Sequence, residues 1–232
     1  ENIDQLALTG TMIMQDSFNL ASFGPIIGQE YFKLKIATPS LSGEDNITDY
    51  TDNAFMITSL DNRTDIGNGV QATVLTFVSR EFIVNQRSRV RRTLVGTYSK
   101  IVDTMLRTDL DSAKKFYSEP SVDSKKIIAP NITPFGVIGM ATKNAVSKKY
   151  NDATYMFFEN TRGFNFRTLG NLYSKAPIMT YEYTIPGTRT KGGARDILQE
   201  LSTIESYKVT SAPDIVYNYT SGIYSSELIV HD

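Results

Sequence analysis

Tyr155-Met156-Phe157-Phe158-Glu159-Asn160-Thr161-Arg162-Gly163-Phe164-Asn165-Phe166-Arg167-Thr168-Leu169 is the stretch on which the reading of this chain turns. Aromatic and β-favouring residues run up to Glu159, turn residues follow, and similar residues run away again, the pattern of an aromatic β-hairpin. Asn160 opens a four-residue connector and Gly163 closes it. On the return strand Phe164, Phe166 and Thr168 share one face, while Asn165, Arg167 and Leu169 share the other. Burying one Phe stabilises by about 1.5–3 kcal/mol, whereas an exposed Arg–carboxylate pair contributes only about 0–1 kcal/mol. The hairpin is therefore read as architectural, with Glu159, beside the turn, as a solvated acid.

Just upstream, Pro130-Asn131-Ile132-Thr133-Pro134 is a stiff approach to a helix, with Thr133 as N-cap and Pro134 at the first helical position. The spacing predicts a helix over 135–149 with Phe135, Ile138, Ala141 and Ala145 on its inner side. Further back, Tyr98, Ile101, Val102, Met105 and Leu106 follow the same helical period, and a polar stretch over 107–126 leads to Ile127-Ile128. The first third reads differently. Residues 6–14, 29–37, 54–60 and 70–78 are short runs of β-formers separated by Asp16-Ser17, Gly24-Pro25, Asp61-Asn62 and Gly67-Asn68-Gly69. Phe32, Leu34 and Ile36 alternate with Tyr31, Lys33 and Lys35, which suits a barrel or sandwich with one wet side. After the hairpin, residues 181–185 alternate again, 188–193 read as a surface loop, 196–204 as a short helix and 207–230 as strand-like. Strands and helices in separate blocks indicate an α+β chain.

Composition narrows the chemistry. Among 232 residues there is no Cys, and the only His is His231, which leaves no thiol nucleophile, no thiolate metal site and no imidazole to spare for a triad or a multi-His metal centre. No cofactor and no metal are expected. Twenty-four basic residues against twenty-five acidic ones argue against a general polyanion binder, and no apolar run is long enough to span a membrane, so a soluble protein is expected. The Gly192-Gly193 pair near Arg189 and Lys191 lacks the spacing of a phosphate loop. The one local basic cluster is Arg80, Arg87, Arg89, Arg91 and Arg92. If extended, Arg87, Arg89 and Arg91 project together, either into solvent, where they discourage edge pairing, or onto carboxylates of another chain.

Asp16 with Gly28-Gln29-Glu30, Phe77-Val78-Ser79-Arg80-Glu81, Pro130-Asn131 before Pro134-Phe135, the hairpin, and Gly222 to Ser225 form an ordered set that resembles baseplate hub proteins of contractile-tailed, T-even-like phages. The resemblance implies a homotrimer in which tail-tube-like β domains adapt the six-fold tail tube above to a central spike below. Residues 1–95 would then be an antiparallel β-barrel domain of the tube type. Residues 96–205 would be an inserted α/β region with the hairpin, and 206–232 the beginning of a second tube-like domain, too short to close a barrel by itself. The partners implied are other copies of the chain, the tail tube protein, the central spike protein and other baseplate proteins, without a membrane and with DNA at most passing through a lumen. The implied location is the virion, after assembly in the host cytoplasm. The family carries no catalytic role. Candidate subunit-interface residues are Arg87, Arg89, Arg91, Arg92, Phe164 and Phe166. A receptor- or glycan-binding tail module is the alternative, suggested by thirteen Tyr. A more distant one is a hydrolase pairing Glu159 with an acid such as Glu182.

Overall fold

A computed structural model describes residues 1–18, 24, 30–37, 47–51, 54–67, 70–177, 179–183, 203–204, 206–208 and 214–220. Its contacts fall into two units, 1–175 and 176–232. The expected boundary at 95/96 therefore lies inside the first unit, and the one at 205/206 inside the second.

The first unit opens with a four-stranded antiparallel sheet built from β1 (Thr9–Asp16), β2 (Tyr31–Phe32), β5 (Phe55–Gly67) and β6 (Val70–Ser79), in the order β1-β6-β5-β2. Its inner face buries Leu8, Phe55 and Phe77, with Met12, Phe32, Leu34 and Tyr50 packed against them. Phe77 crosses Phe32 edge-on at 4.9 Å and Phe55 at 5.1 Å between ring centroids. Opposite Phe77 in the register stands Gly10, where a Cβ would lie 2.3 Å from the ring, so the missing side chain is what lets the ring cover the edge strand. The sheet is open. Among the described residues β1 and β2 are its two edges and do not pair, so the closed barrel expected of residues 1–95 is seen as a curled antiparallel sheet. A separate antiparallel pair, β3 (Lys35–Ala37) with β4 (Ile47–Asp49), follows the break at Lys33 and Leu34.

The basic cluster is not a strand. Residues Arg80–Arg87 form helix α1, with Glu81 in its first turn and Arg87 in its last, both on the favourable side of the helix dipole. Glu81 and Asn85 turn inward at i,i+4 spacing, and the Asn85 side-chain oxygen accepts the Phe135 N–H at 2.8 Å. Arg87, Arg89 and Arg91 therefore do not line up along one extended face. The chain then forms β7 (Thr93–Gly96), which pairs with β9 (Lys125–Ile128), and helix α2 (Tyr98–Thr104), capped by Thr97. A single π-turn over Met105–Asp109 ends that helix.

The large core forms where α2 and α3 (Pro134–Asn144) meet the hairpin of β10 (Tyr155–Asn160) and β11 (Gly163–Thr168), with β8 (Phe116–Ser118) added in parallel beside β11. As the sequence requires, Thr133 accepts the Gly136 N–H at 3.1 Å and Pro134 opens α3. The helix stops at Asn144, before the expected end at residue 149. Tyr155 stacks on Phe166 at 4.3 Å and Phe157 on Phe164 at 5.4 Å. Phe164, Phe166 and Thr168 are fully buried.

A short helix α4 (Leu169–Tyr173) closes the first unit. In the second, Glu182–Tyr183 pairs in parallel with Thr203–Ile204, so the described end of the expected 196–204 helix is a strand, and Ile215–Thr220 is helical, not strand-like. The readings of the 188–193 loop, of 196–202, and of the Gly28-Gln29 and Gly222 to Ser225 segments lie outside the described residues.

The hairpin ladder runs out to Asn160 and Gly163, leaving Thr161 and Arg162 as the turn. Gly163 carries φ 131, and a Cβ there would stand 2.3 Å from the Lys115 carbonyl oxygen, the same oxygen that accepts the Phe164 N–H at 2.9 Å. Gly163→Val must move β8 or abandon that hydrogen bond. With strain and a lost buried bond together costing about 2–4 kcal/mol, the melting temperature should drop by roughly 5–15 °C in a chain of this size. An unchanged melting curve by circular dichroism would show that β8 yields freely.

Candidate functional site

The densest charge in the described residues is buried. Lys114 donates to Glu81 at 2.6 Å and to Glu159 at 2.5 Å, and it lies 5.5 Å from the centroid of the Phe164 ring. The side chains are 9%, 3% and 0% exposed respectively, so Glu159 is far from the solvated acid that its place beside a turn suggests. The reason is the parity of the strand. Tyr155, Phe157 and Glu159 share the inner face of β10, and the ladder carries that face to the last pair before the turn.

Two carboxylates around one ammonium leave a net negative charge, and other donors meet it. The Leu8 N–H donates to the second Glu159 oxygen at 2.8 Å, and the Ser112 hydroxyl donates to the second Glu81 oxygen at 2.6 Å. Glu81 also sits in the first turn of α1, where the helix dipole favours a carboxylate. The segment carrying Lys114 is pinned from outside. Arg80 reaches the Asp111 carbonyl at 2.8 Å and its carboxylate at 3.0 Å, and Arg107 reaches the Ser112 and Lys114 carbonyls at 2.6 and 2.7 Å. Over this network opens a cleft of about 830 Å³, with Arg80, Glu81, Asp111, Lys114, Tyr117 and Arg162 among its walls. Within its walls Arg80 pairs with Asp111 and Lys114 with Glu81, which is the chemistry of a joint. Lys114, donating to two carboxylates, offers no lone pair to a substrate.

A further buried carboxylate, Glu119, is held without a lysine. It accepts the Ser147 hydroxyl on one oxygen, and the Thr168 N–H and hydroxyl on the other at 3.0 and 2.8 Å. The Tyr155 hydroxyl donates to the Glu119 carbonyl at 3.1 Å. Burial first, and the Glu119 charge second, push the Tyr155 phenol well above its ordinary range. Asp152 is held below the usual carboxylate range by the Thr154 and Gly170 amides.

The interface candidates part company. Phe164 and Phe166 are fully buried in the chain's own core and present no surface to a neighbour. Arg92 is paired with Asp109 at 2.5 Å, and Arg89 donates to the Gln86 and Ser88 carbonyls at the end of α1. Arg87 and Arg91 are exposed. Of the two acids in the paired-carboxylate reading, Glu182 is exposed in the second unit and Glu159 is paired with Lys114. Sequence reasoning missed Glu81, Lys114 and Glu119. The i,i+4 match of Glu81 with Asn85 was the one local sign of an inward helix face. No group of residues suited to holding a metal occurs among those described, and no described helix is long and apolar enough to cross a membrane.

No protein-family model matches the chain, and no curated protein matches it. Among solved structures it is similar to the 43 kDa tail protein of prophage MuSo2 from Shewanella oneidensis, with 11% identity, a TM-score of 0.43, and 82% of this chain and 53% of that one covered. It is also similar to a prophage tail protein from Listeria monocytogenes EGD-e, with 10% identity, a TM-score of 0.37, and coverage of 80% and 51%. The chain thus spans about half the length of each.

Lys114→Met leaves two carboxylates buried side by side and should cost about 3–5 kcal/mol in chemical denaturation. Adding Glu81→Gln and Glu159→Gln should restore most of that loss, because the charges that the lysine served are gone. A triple variant as unstable as the single one would mean that lysine packing, not charge, is what matters. Tyr155 sets an alkaline limit. The fold keeps this proton where a free tyrosine loses it, about pH 10. Its contribution is complete below that pH and is lost as pH rises past it. Tyr155→Phe should flatten the decline of stability above about pH 10, as read from melting temperatures across pH.

Proposed function

We propose that the chain is a structural component of a phage tail that works by associating with copies of itself, in the manner of a baseplate hub subunit. The observation that carries this reading is the open sheet. Beyond Leu60 the described side chains of β5 are exposed out to Gly67, and the ribbon formed with β6 and β1 leaves Ile66 55% and Ile13 70% exposed. Among the described residues β1 is an edge of eight residues without Pro, Lys or Arg, which leaves it open to pairing. Such an edge is stable in solution when a neighbour covers it. The ordered motifs that resemble hub proteins support the same reading, as does the use of the buried charges as internal joints. A three-fold ring joining the tail tube to a central spike, at the baseplate of the virion, is the finer form of the proposal.

Light scattering across concentrations tests it, with an expected mass three times that of one chain. Ile13→Glu should leave the melting temperature of the isolated chain within a few degrees, since surface changes usually stay within about 0.5 kcal/mol, while shifting the mass toward the monomer. Arg91→Glu should do likewise if the remaining exposed arginines meet carboxylates of a neighbour. A single-chain mass at every concentration would end the proposal.

A further inference from the structure

The two-stranded sheet of β7 and β9 has an uncovered apolar face. Leu94 lies in the large core and Ile127 packs against it, so strand parity turns Thr93, Val95, Lys126 and Ile128 the other way. Val95 is 70% exposed and Ile128 68%. The register sets Val95 opposite Lys126 and Thr93 opposite Ile128, which makes Val95 and Ile128 diagonal neighbours with the ammonium beside them. Past β6, the one other large hydrophobic exposed among the described residues of the first unit is Tyr173. Lys125 reaches Asp123 at 3.6 Å, whereas Lys126 has no ion pair among the described residues. The open sheet carries the matching pattern with the opposite charge. Ile13 stands opposite Val74, and Val74 opposite Asp61, so the three form one row on the face turned away from the buried Leu75 and Phe77. Asp61 is exposed, its carboxylate accepts the Ser59 hydroxyl at 2.8 Å, and it too has no ion pair among the described residues.

We infer that these two faces meet between copies of the chain. The β7–β9 pair of one copy lies on the open sheet of the next, with Val95 and Ile128 against Ile13 and Val74, and Lys126 beside Asp61. The inference rests on the self-association proposed above and names the second surface that a ring requires. A two-fold dimer is built from one patch meeting itself, whereas a three-fold ring repeats a contact between two different patches. The two faces belong to separate sheets and share no residue, so one copy offers both at once. Each presents an apolar pair beside a single charge. Because the charges are opposite, the head-to-tail contact is favoured, and either patch meeting its own kind would bring like charges together.

Mixing two variants in the analytical ultracentrifuge tests it. Ile13→Glu and Ile128→Glu, both at exposed positions, should each weaken self-association by about tenfold or more, since a carboxylate would be buried without a partner, while the circular dichroism spectrum stays as it is. Mixed in equal amounts, the two variants should form a species of two chains and nothing larger. The intact β7–β9 face of the first meets the intact sheet of the second, and neither has a further face to offer. Variants that stay single on mixing would overturn the inference. Charge reversal is a separate arm. Asp61→Lys and Lys126→Asp should each weaken association, and the chain carrying both should regain the mass of the unaltered one. A double variant no better than the single ones, or association indifferent to Ile128→Glu, would overturn the pairing of these faces and leave self-association standing. A single-chain mass for the unaltered protein would end self-association itself.

Discussion

A single ammonium, that of Lys114, holds three distant parts of the first unit in register. Glu81 belongs to α1, Glu159 to the end of the hairpin, and Leu8, whose amide satisfies the remaining Glu159 oxygen, lies 151 residues away in sequence. The geometry also marks a seam. Ala7 packs into the large core and Leu8 into the small core of the open sheet, so two consecutive residues just ahead of β1 belong to different cores. The carboxylate of Glu159 meets the backbone at that crossing. A buried ion pair is a poor source of net stability, because desolvation offsets most of the attraction. Its physical effect here is selectivity. Any packing of the sheet on the helical part that misplaces Leu8 or α1 leaves a buried charge without its partner, which is a far larger penalty than a shifted apolar contact.

How much of this was legible follows from how local each determinant is. The α3 start was legible because Thr133 and Pro134 act on their own backbone. The faces of β11 were legible because strand parity is a local property, and Phe164, Phe166 and Thr168 are indeed all buried. The same parity, carried one strand back, put Glu159 inside, but an acid beside a turn has no local reason to be buried. Its reason is Lys114, 45 residues earlier. Likewise α1 hides behind its arginines. Phe82 and Val84 pack against the large core, but its two buried residues are Glu81 and Asn85, which read as polar until Lys114 and the Phe135 amide are placed against them. The conformation of 215–220 was misjudged because Tyr, Val and Ile favour strands only where a pleated neighbour exists. Among the described residues that segment pairs with none.

The open sheet obeys a different constraint from the rest of the unit. Its small core of Leu8, Phe55 and Phe77 lies at the end nearest the body, while irregular register between Ile57 and Ser59, Asp61 and Thr64, and Asp65 and Gly67 bends the outer half of β5. Backbone pairing holds that half together, and little of its surface is buried within the chain. Its stability within one chain is thus lower than that of the hairpin region. A neighbour that covered the ribbon would add stability where the chain has least. Association and local ordering of the ribbon would then be one equilibrium, dependent on protein concentration.

The two deeply buried glutamates near the hairpin solve one problem in two ways. Glu159 is met by an ammonium, and Glu119 by two hydroxyls and an amide. Neutral donors satisfy the lone pairs without cancelling the charge, so the negative potential of Glu119 persists into the cleft that it lines. Lys148, Lys149 and Arg167 line the same cleft without an ion pair to Glu119 among the described residues. Had a lysine been buried against Glu119 as Lys114 is against Glu159, the charge would have been cancelled at its source. Using hydroxyls at Glu119 instead leaves its charge uncancelled, and that charge, after the contact with Tyr150, helps to hold the neighbouring Lys149 ammonium above its ordinary value.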